Sequence, residues 1–190
     1  MESKQDIRKK IFALRKEVSE DELLEASRKI LKQVTTLKVW KEVSWIYAYM
    51  DFKKEVMTRE LIELAWKQGK QVEVPRVQGK DMTYYVITDF AQCEPGYFGI
   101  PEPMTGLPEA KAEDAFLIVP GVAFDRERHR VGYGQGFYDR YLSIHREHIT
   151  AAERLNLGRS AVFCAAAVSA PVFPAILNCN KAAGPACRPA

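Results

Sequence analysis

The stretch of this 190-residue chain best suited to chemistry is Val131-Gly132-Tyr133-Gly134-Gln135-Gly136-Phe137-Tyr138-Asp139-Arg140. Glycines at alternate positions let the backbone approach a ligand closely, because no Cβ stands in the way. Successive amides in such a turn form a concave anion-binding surface, and a helix starting near Phe137 adds its positive N-terminal end. Phosphate is the natural guest. A Walker A loop is excluded, since no Gly-Lys-Ser or Gly-Lys-Thr occurs here, and a dinucleotide fingerprint is excluded because Phe137 stands where its last glycine is required. Asp139 falls on the first turn of the helix, where it either caps the helix or holds a metal beside the phosphates. Cys93, Cys164, Cys179 and Cys187 form no CxxC pair and match no common zinc spacing, so they read as free thiols. His129, His145 and His148 follow no HExxH pattern and read as solvated polar residues.

These residues need a scaffold, and periodicity supplies one. Ile7, Ile11, Leu14 and Val18 make one apolar stripe at helical spacing, with Lys4, Arg8, Lys9, Lys10, Arg15 and Lys16 around it. Ser19 and Glu22 form a capping-box signature ahead of a second helix carrying Leu23, Ser27, Ile30 and Val34. The β-branched and aromatic run 43–50 reads as a buried strand and 51–55 as a polar loop. Thr58 is placed to cap a helix bearing Leu61, Ile62, Leu64, Ala65 and Trp66, which Gly69 ends. A short strand over 72–75 is expected to stop at Pro75, and another covers 82–87. Residues 90–110, rich in proline and glycine, form a long irregular segment of the kind that is often functional. The run 115–120 is the most apolar and reads as a central strand. Strands alternating with helices point to a single α/β domain with a mostly parallel central sheet flanked by helices, two N-terminal helices and a glycine-rich phosphate loop.

Composition narrows the function classes. The net charge is +3, yet residues 1–154 balance at 25 basic against 25 acidic residues. After Arg154 come Arg159, Lys181 and Arg188 and no acidic residue. The body therefore lacks the basic footprint of a nucleic-acid binder. No apolar run reaches the roughly 18 residues that cross a bilayer, and the charged start Met1-Glu2-Ser3-Lys4-Gln5-Asp6 is not expected to act as a signal peptide. A cytoplasmic monomer, free of membrane and nucleic acid, is the expectation. Residues 151–190 hold 12 alanines, with Pro171, Pro174, Pro185 and Pro189 interrupting them. The domain is therefore drawn at 1–154, with 155–190 an atypical, poorly structured tail.

Pro120-Gly121-Val122-Ala123-Phe124-Asp125 followed by the glycine-rich run and Phe137-Tyr138-Asp139-Arg140-Tyr141-Leu142 resembles the 5-formyltetrahydrofolate cyclo-ligase (methenyltetrahydrofolate synthetase) family. Lys4-Gln5-Asp6-Ile7-Arg8, Lys54-Glu55-Val56, Val74-Pro75-Arg76 and Gly99-Ile100-Pro101-Glu102-Pro103 agree with it, and the resemblance covers about residues 3–142. It implies ATP-dependent cyclisation of 5-formyltetrahydrofolate to 5,10-methenyltetrahydrofolate with release of ADP and phosphate, with magnesium as cofactor and ATP as co-substrate. It assigns ATP to Lys4, Arg8 and the run Arg130, Val131, Gly132, Tyr133, Gly134, Gln135, Gly136, Phe137 and Tyr138. It assigns the folate to Met50, Glu55 and Tyr133 to Phe137, and magnesium to Asp139; it assigns no catalytic side chain. Trp45, Tyr47 and Tyr49 either stack on a pterin or form a core stripe. The family continues with a further strand and an acidic segment that contributes to the metal site. This chain is expected to lack both, which leaves a non-catalytic folate or nucleotide binder with a damaged metal site as the alternative.

Overall fold

The structure is a computed structural model that describes residues 2–111, 115–124 and 130–145, together with the backbone of 162–164. Helix α1, Lys4–Glu17, starts from Ser3, whose hydroxyl and backbone exchange hydrogen bonds with Asp6. Helix α2, Glu20–Thr36, starts from the expected Ser19–Glu22 capping box and buries Leu23, Ser27, Ile30 and Val34. A helical turn α3, Lys38–Glu42, leads into strand β1, Trp45–Tyr47, which is shorter than the expected 43–50. Helix α4, Arg59–Lys67, follows the 51–58 loop. Thr58 occupies its N-cap without a side-chain cap bond. Its hydroxyl donates instead to the Tyr49 carbonyl at 2.7 Å, tying the helix start to the end of β1. Gly69, at φ 75°, closes α4 as expected.

Strands β2, Gln71–Gln78, and β3, Asp81–Ile87, form an antiparallel hairpin. The sequence expectation that Pro75 stops the first of them is corrected. The β1 pairing ends at Glu73, whose carbonyl accepts from the Ala48 amide at 2.9 Å. Pro75 has its nitrogen on that same side, beyond the end of β1, where no ladder bond is asked of it. Short strands β4, Cys93–Pro95, and β5, Pro101–Pro103, pair with each other inside the irregular segment. Strand β6, Ala115–Val119, is buried along its whole length, as its composition requires. Strands β7, Ala123–Phe124, and β8, Arg130–Val131, make a second antiparallel pair before helix α5, Phe137–Ile144.

The main sheet runs β3-β2-β1-β6-β9, where β9 is Val162–Cys164. The β1–β2, β1–β6 and β6–β9 pairs are parallel. Strand β9 corrects the expectation of a missing strand: Leu117, Ile118 and Val119 pair with Val162, Phe163 and Cys164. The rest of the expected tail lies outside the described residues. Alternate residues of each strand face opposite sides, and each side has its own core. Ile46, Val72, Val74, Phe116 and Ile118 pack against α2, α3 and α4. Tyr47, Tyr84, Leu117 and Val119 pack beneath Tyr141 of α5. A third, smaller cluster joins Ile7 and Ile11 of α1 to Val122, Ala123 and Val131. The third position of the α1 stripe is not Leu14, which is exposed, but Arg15, which is 8 % exposed.

Candidate active site

The candidate residues gather where β1 and β6 end and the chain turns away, the usual ligand position on a parallel sheet. After β6 the turn passes through Gly121, where a Cβ would lie 2.3 Å from Cζ of Phe124. Only glycine lets that ring close over the turn. The loop Gly132 to Gly136 then connects β8 to α5. Gly134 has φ 108° and Gly136 φ 71°, values that side chains with a Cβ rarely adopt. Two guanidiniums grip the loop by its carbonyls. Arg8 Nε donates to the Gly132 carbonyl at 2.8 Å, and Arg140 Nη1 donates to the Gln135 carbonyl at 2.9 Å. Arg140 is anchored in turn to the Lys80 carbonyl of the β2–β3 turn. In a trans peptide the next amide points opposite its carbonyl, so the Tyr133 and Gly136 N–H groups face away from these cations. Gly136 is the N-cap of α5 and has no side chain to cap it, so among the described residues no side chain caps the first-turn amides.

The remaining residues expected at ATP are distributed unevenly. Lys4 lies one turn before Arg8 on α1, half-buried, with no ion pair among the described residues. Arg130 Nη1 donates to the Pro120 carbonyl at 2.9 Å, and its Nη2 lies 2.6 Å from Oδ1 of Asp139. Val131 is a core residue against Ile7 and Ile11. Tyr133, Gly134 and Gln135 are exposed. The Phe137 ring meets Tyr97 edge-on at 5.7 Å, with the Arg140 guanidinium above it. Tyr138 packs against both main cores, and burial raises its phenol well above the ordinary value.

Glu55 comes to this loop from the other side. The tight turn after β1 buries it, and its Oε2 accepts from the Phe52 amide at 2.9 Å. Burial raises its carboxyl above the ordinary value; the Tyr133 hydroxyl, the Phe52 amide and the Arg15 guanidinium oppose that shift. Burial and the Glu55 charge in turn raise the Tyr133 phenol. Met50 packs, half-buried, against the larger core. Of the aromatic residues at β1, Tyr47 and Tyr49 are buried. The Tyr49 hydroxyl donates to the Val56 carbonyl at 2.9 Å, and the Tyr47 ring lies 4.7 Å from that of Tyr84. These are core roles.

Two buried charges were not singled out by the sequence reading. Arg15 Nη2 donates to the carbonyls of Gly121 at 2.7 Å and Val122 at 3.2 Å, and its Nη1 donates to the Tyr133 hydroxyl at 3.0 Å. The signal was its place in the i, i+4 series with Ile7 and Ile11. Glu73 is 0 % exposed, and among the described residues neither carboxylate oxygen has a hydrogen-bond partner. The signal there was an acid between Val72 and Val74 in a strand covered on both faces.

Magnesium would find one carboxylate here, Asp139, rather than a cage of side chains. Among the described residues no three His, Cys, Asp or Glu side chains converge to hold a metal. Asp139 is 69 % exposed, a single carboxylate already engaged by Arg130.

The sequence pattern of the 5-formyltetrahydrofolate cyclo-ligase family matches residues 1–159, which extends the likeness past Leu142, where the motifs themselves end. A probable 5-formyltetrahydrofolate cyclo-ligase from Schizosaccharomyces pombe is 38% identical over 120 residues, 60% of this chain and 59% of that protein. The 5-formyltetrahydrofolate cyclo-ligase of Haemophilus influenzae is 29% identical over 146 residues, 74% of this chain and 78% of that one. Among solved structures, the 5,10-methenyltetrahydrofolate synthetase of Aquifex aeolicus superposes with a TM-score of 0.65 at 34% identity, covering 74% of this chain and 72% of that chain. The Mycoplasma pneumoniae synthetase shares the fold at a TM-score of 0.53 and 21% identity, over 74% of this chain and 77% of that chain.

Proposed function

Since the chain belongs to the 5-formyltetrahydrofolate cyclo-ligase family, we propose that it closes 5-formyltetrahydrofolate to 5,10-methenyltetrahydrofolate at the cost of one ATP. The observation that carries this reading is the meeting of two sides at one loop. The uncapped first turn of α5 suits phosphates, with Arg8 holding the loop that leads into it, while the charge of the buried Glu55 acts on Tyr133 of the same loop. A carboxylate accepts only, and so matches the N–H edge of a pterin.

The chemistry follows from leaving-group ability. A formamide oxygen departs poorly from carbon. Attack of that oxygen on the terminal phosphate of ATP forms an O–P bond and expels ADP, giving an iminium phosphate. Nitrogen 10 then attacks the activated carbon and loses its proton, and the C–O bond breaks with phosphate as the leaving group. The formyl oxygen leaves in the phosphate. Phosphoryl transfer asks the protein chiefly for positioning and charge neutralisation. Arg8, Lys4 and the loop amides supply these at the phosphates; Glu55 and Tyr133 orient the pterin. Asp139 is the carboxylate we assign to magnesium. Magnesium takes most of its octahedral oxygens from phosphates and water, so the ion would arrive with ATP, and no step here is routed through it.

The test is absorbance of the methenyl product, measured with and without ATP. Product formed only with ATP supports the cyclo-ligase. Folate binding without turnover supports the second reading, a non-catalytic binder, which the Asp139–Arg130 pair and the lack of acids beyond Glu153 favour.

A further inference from the structure

We propose that Arg15 is the positioning residue for the folate side of the site. It holds the Tyr133 hydroxyl against Glu55 and so sets where a pterin meets that carboxylate. The nature of the ligand rests on the functional reading above; the contacts themselves do not.

A guanidinium inside a protein is costly unless its donors are used. Arg15 is 8 % exposed, and its two terminal nitrogens do different work. Nη2 is fixed by the Gly121 and Val122 carbonyls, at 2.7 and 3.2 Å, just past the end of β6. The guanidinium is planar and rigid, so fixing Nη2 also aims Nη1, which reaches the Tyr133 hydroxyl at 3.0 Å. Arginine can only donate. The phenol oxygen must accept from it, which turns the phenol proton away from the guanidinium, and Glu55 is the carboxylate whose charge acts on that phenol. The orientation of the Tyr133 hydroxyl is thereby set from its buried side. Glu55 itself is held by the Phe52 amide, which donates to its Oε2 at 2.9 Å.

The same helix secures the tyrosine ring. Phe12 stacks on Tyr133 with centroids 5.8 Å apart, and Arg8, one turn earlier, holds the Gly132 carbonyl. Helix α1 therefore presents Arg8, Phe12 and Arg15 to two consecutive loop residues, with Ile7 and Ile11 seating it on β7 and β8. A helix expected to serve only ATP reaches the folate side as well.

The experiment uses the full chain. The phenol carbon of Tyr133 is followed by NMR on tyrosine-labelled protein without ligands. The Kd values of 5-formyltetrahydrofolate and of a non-hydrolysable ATP analogue are measured by calorimetry for wild type, Arg15→Met, Arg15→Lys, Tyr133→Phe and the double variant Arg15→Met/Tyr133→Phe. Arg15→Lys keeps the cation and stands in if Arg15→Met does not fold. The Tyr133 resonance is expected to shift in the Arg15 variants. Folate binding should weaken roughly tenfold in Arg15→Met and in Tyr133→Phe, the loss typical of a charge-assisted hydrogen bond. The ATP analogue should be little affected, and the double variant should bind folate no worse than the weaker single. An unmoved Tyr133 resonance in a folded Arg15 variant overturns the proposal. So do losses that multiply in the double variant, since Arg15 would then act apart from Tyr133. A wild-type chain that binds no folate would end the functional reading and the folate part of this proposal, and the resonance alone would still decide the Arg15–Tyr133 contact.

Discussion

A carboxyl group sealed from water with no donor beside it stays protonated, and Glu73 is held that way: burial pushes its pKa from 4.5 up to about 9. The unfolded chain ionises near the ordinary value, so between these limits it releases a proton that the folded chain retains. The contribution of Glu73 to stability is therefore fully present below about pH 4.5 and is lost as pH rises toward 9, by up to about 1.4 kcal/mol per pH unit. Glu73→Gln keeps the shape and removes the titration. Urea denaturation should find this variant more stable than wild type at about pH 8 and close to it at about pH 4. An unchanged pH slope in the variant would contradict the assignment. Glu55 has the same cause of shift but a different use. Its raised pKa means that acidification protonates it earlier than an ordinary glutamate, which removes a pterin acceptor and weakens folate binding. Glu55→Gln should bind folate roughly tenfold or more weakly, should lose that acid-side dependence, and should leave ATP affinity nearly unchanged by calorimetry. Equal loss of both ligands would indicate a damaged fold instead. At this scale the glycines, Arg8 and Glu55 were legible because their residue types stand in a motif. Arg15 and Glu73 were not, because a charged residue in a periodic pattern reads as surface until its neighbours are known.

Elements carry the second level of the account. The loop takes positive φ at two glycines and is clamped by one arginine from α1 and one from α5. A Cβ at Gly134 would stand 3.4 Å from Cζ of Arg8, at a φ of 108°. Gly134→Val should therefore displace both the loop and the guanidinium that holds it. Calorimetry with the ATP analogue should show affinity falling at least tenfold, given about 1–3 kcal/mol for a residue forced into such a conformation. Unchanged affinity in a folded variant would take the loop out of the ATP site. Helices α1, α2 and α4 and the central strand β6 were legible from periodicity and composition. The passage of β2 through Pro75 was not, because whether a missing amide matters depends on how far β1 extends beside it. Nor was the Thr58 hydroxyl bond to Tyr49, since a threonine before a helix looks the same whether it caps or ties back.

At the scale of the whole molecule, five strands in the order β3-β2-β1-β6-β9 bring the glycine loop and the Glu55 turn to one end of the sheet. That α/β plan was readable from alternating helices and strands, whereas β9 was not, because its alanine-rich surroundings carry no strand signature. Metal supply is a property of the whole chain too. No acid follows Glu153, and Asp139 is paired with Arg130. Magnesium should therefore bind only with ATP. Asp139→Asn should raise the magnesium concentration for half-maximal turnover roughly tenfold, the effect of losing one charged ligand contact. An unaltered titration would remove Asp139 from the metal's surroundings.

The central claim is that the formyl oxygen is phosphorylated by ATP in a site shared by α1, the glycine loop and Glu55. It is tested most directly with 5-formyltetrahydrofolate carrying oxygen-18 in the formyl group, turned over with unlabelled ATP in unlabelled water. Mass analysis of the inorganic phosphate released with each methenyl product should find one heavy oxygen per phosphate. Methenyl product accompanied by unlabelled phosphate, or formed without ATP, would contradict the account.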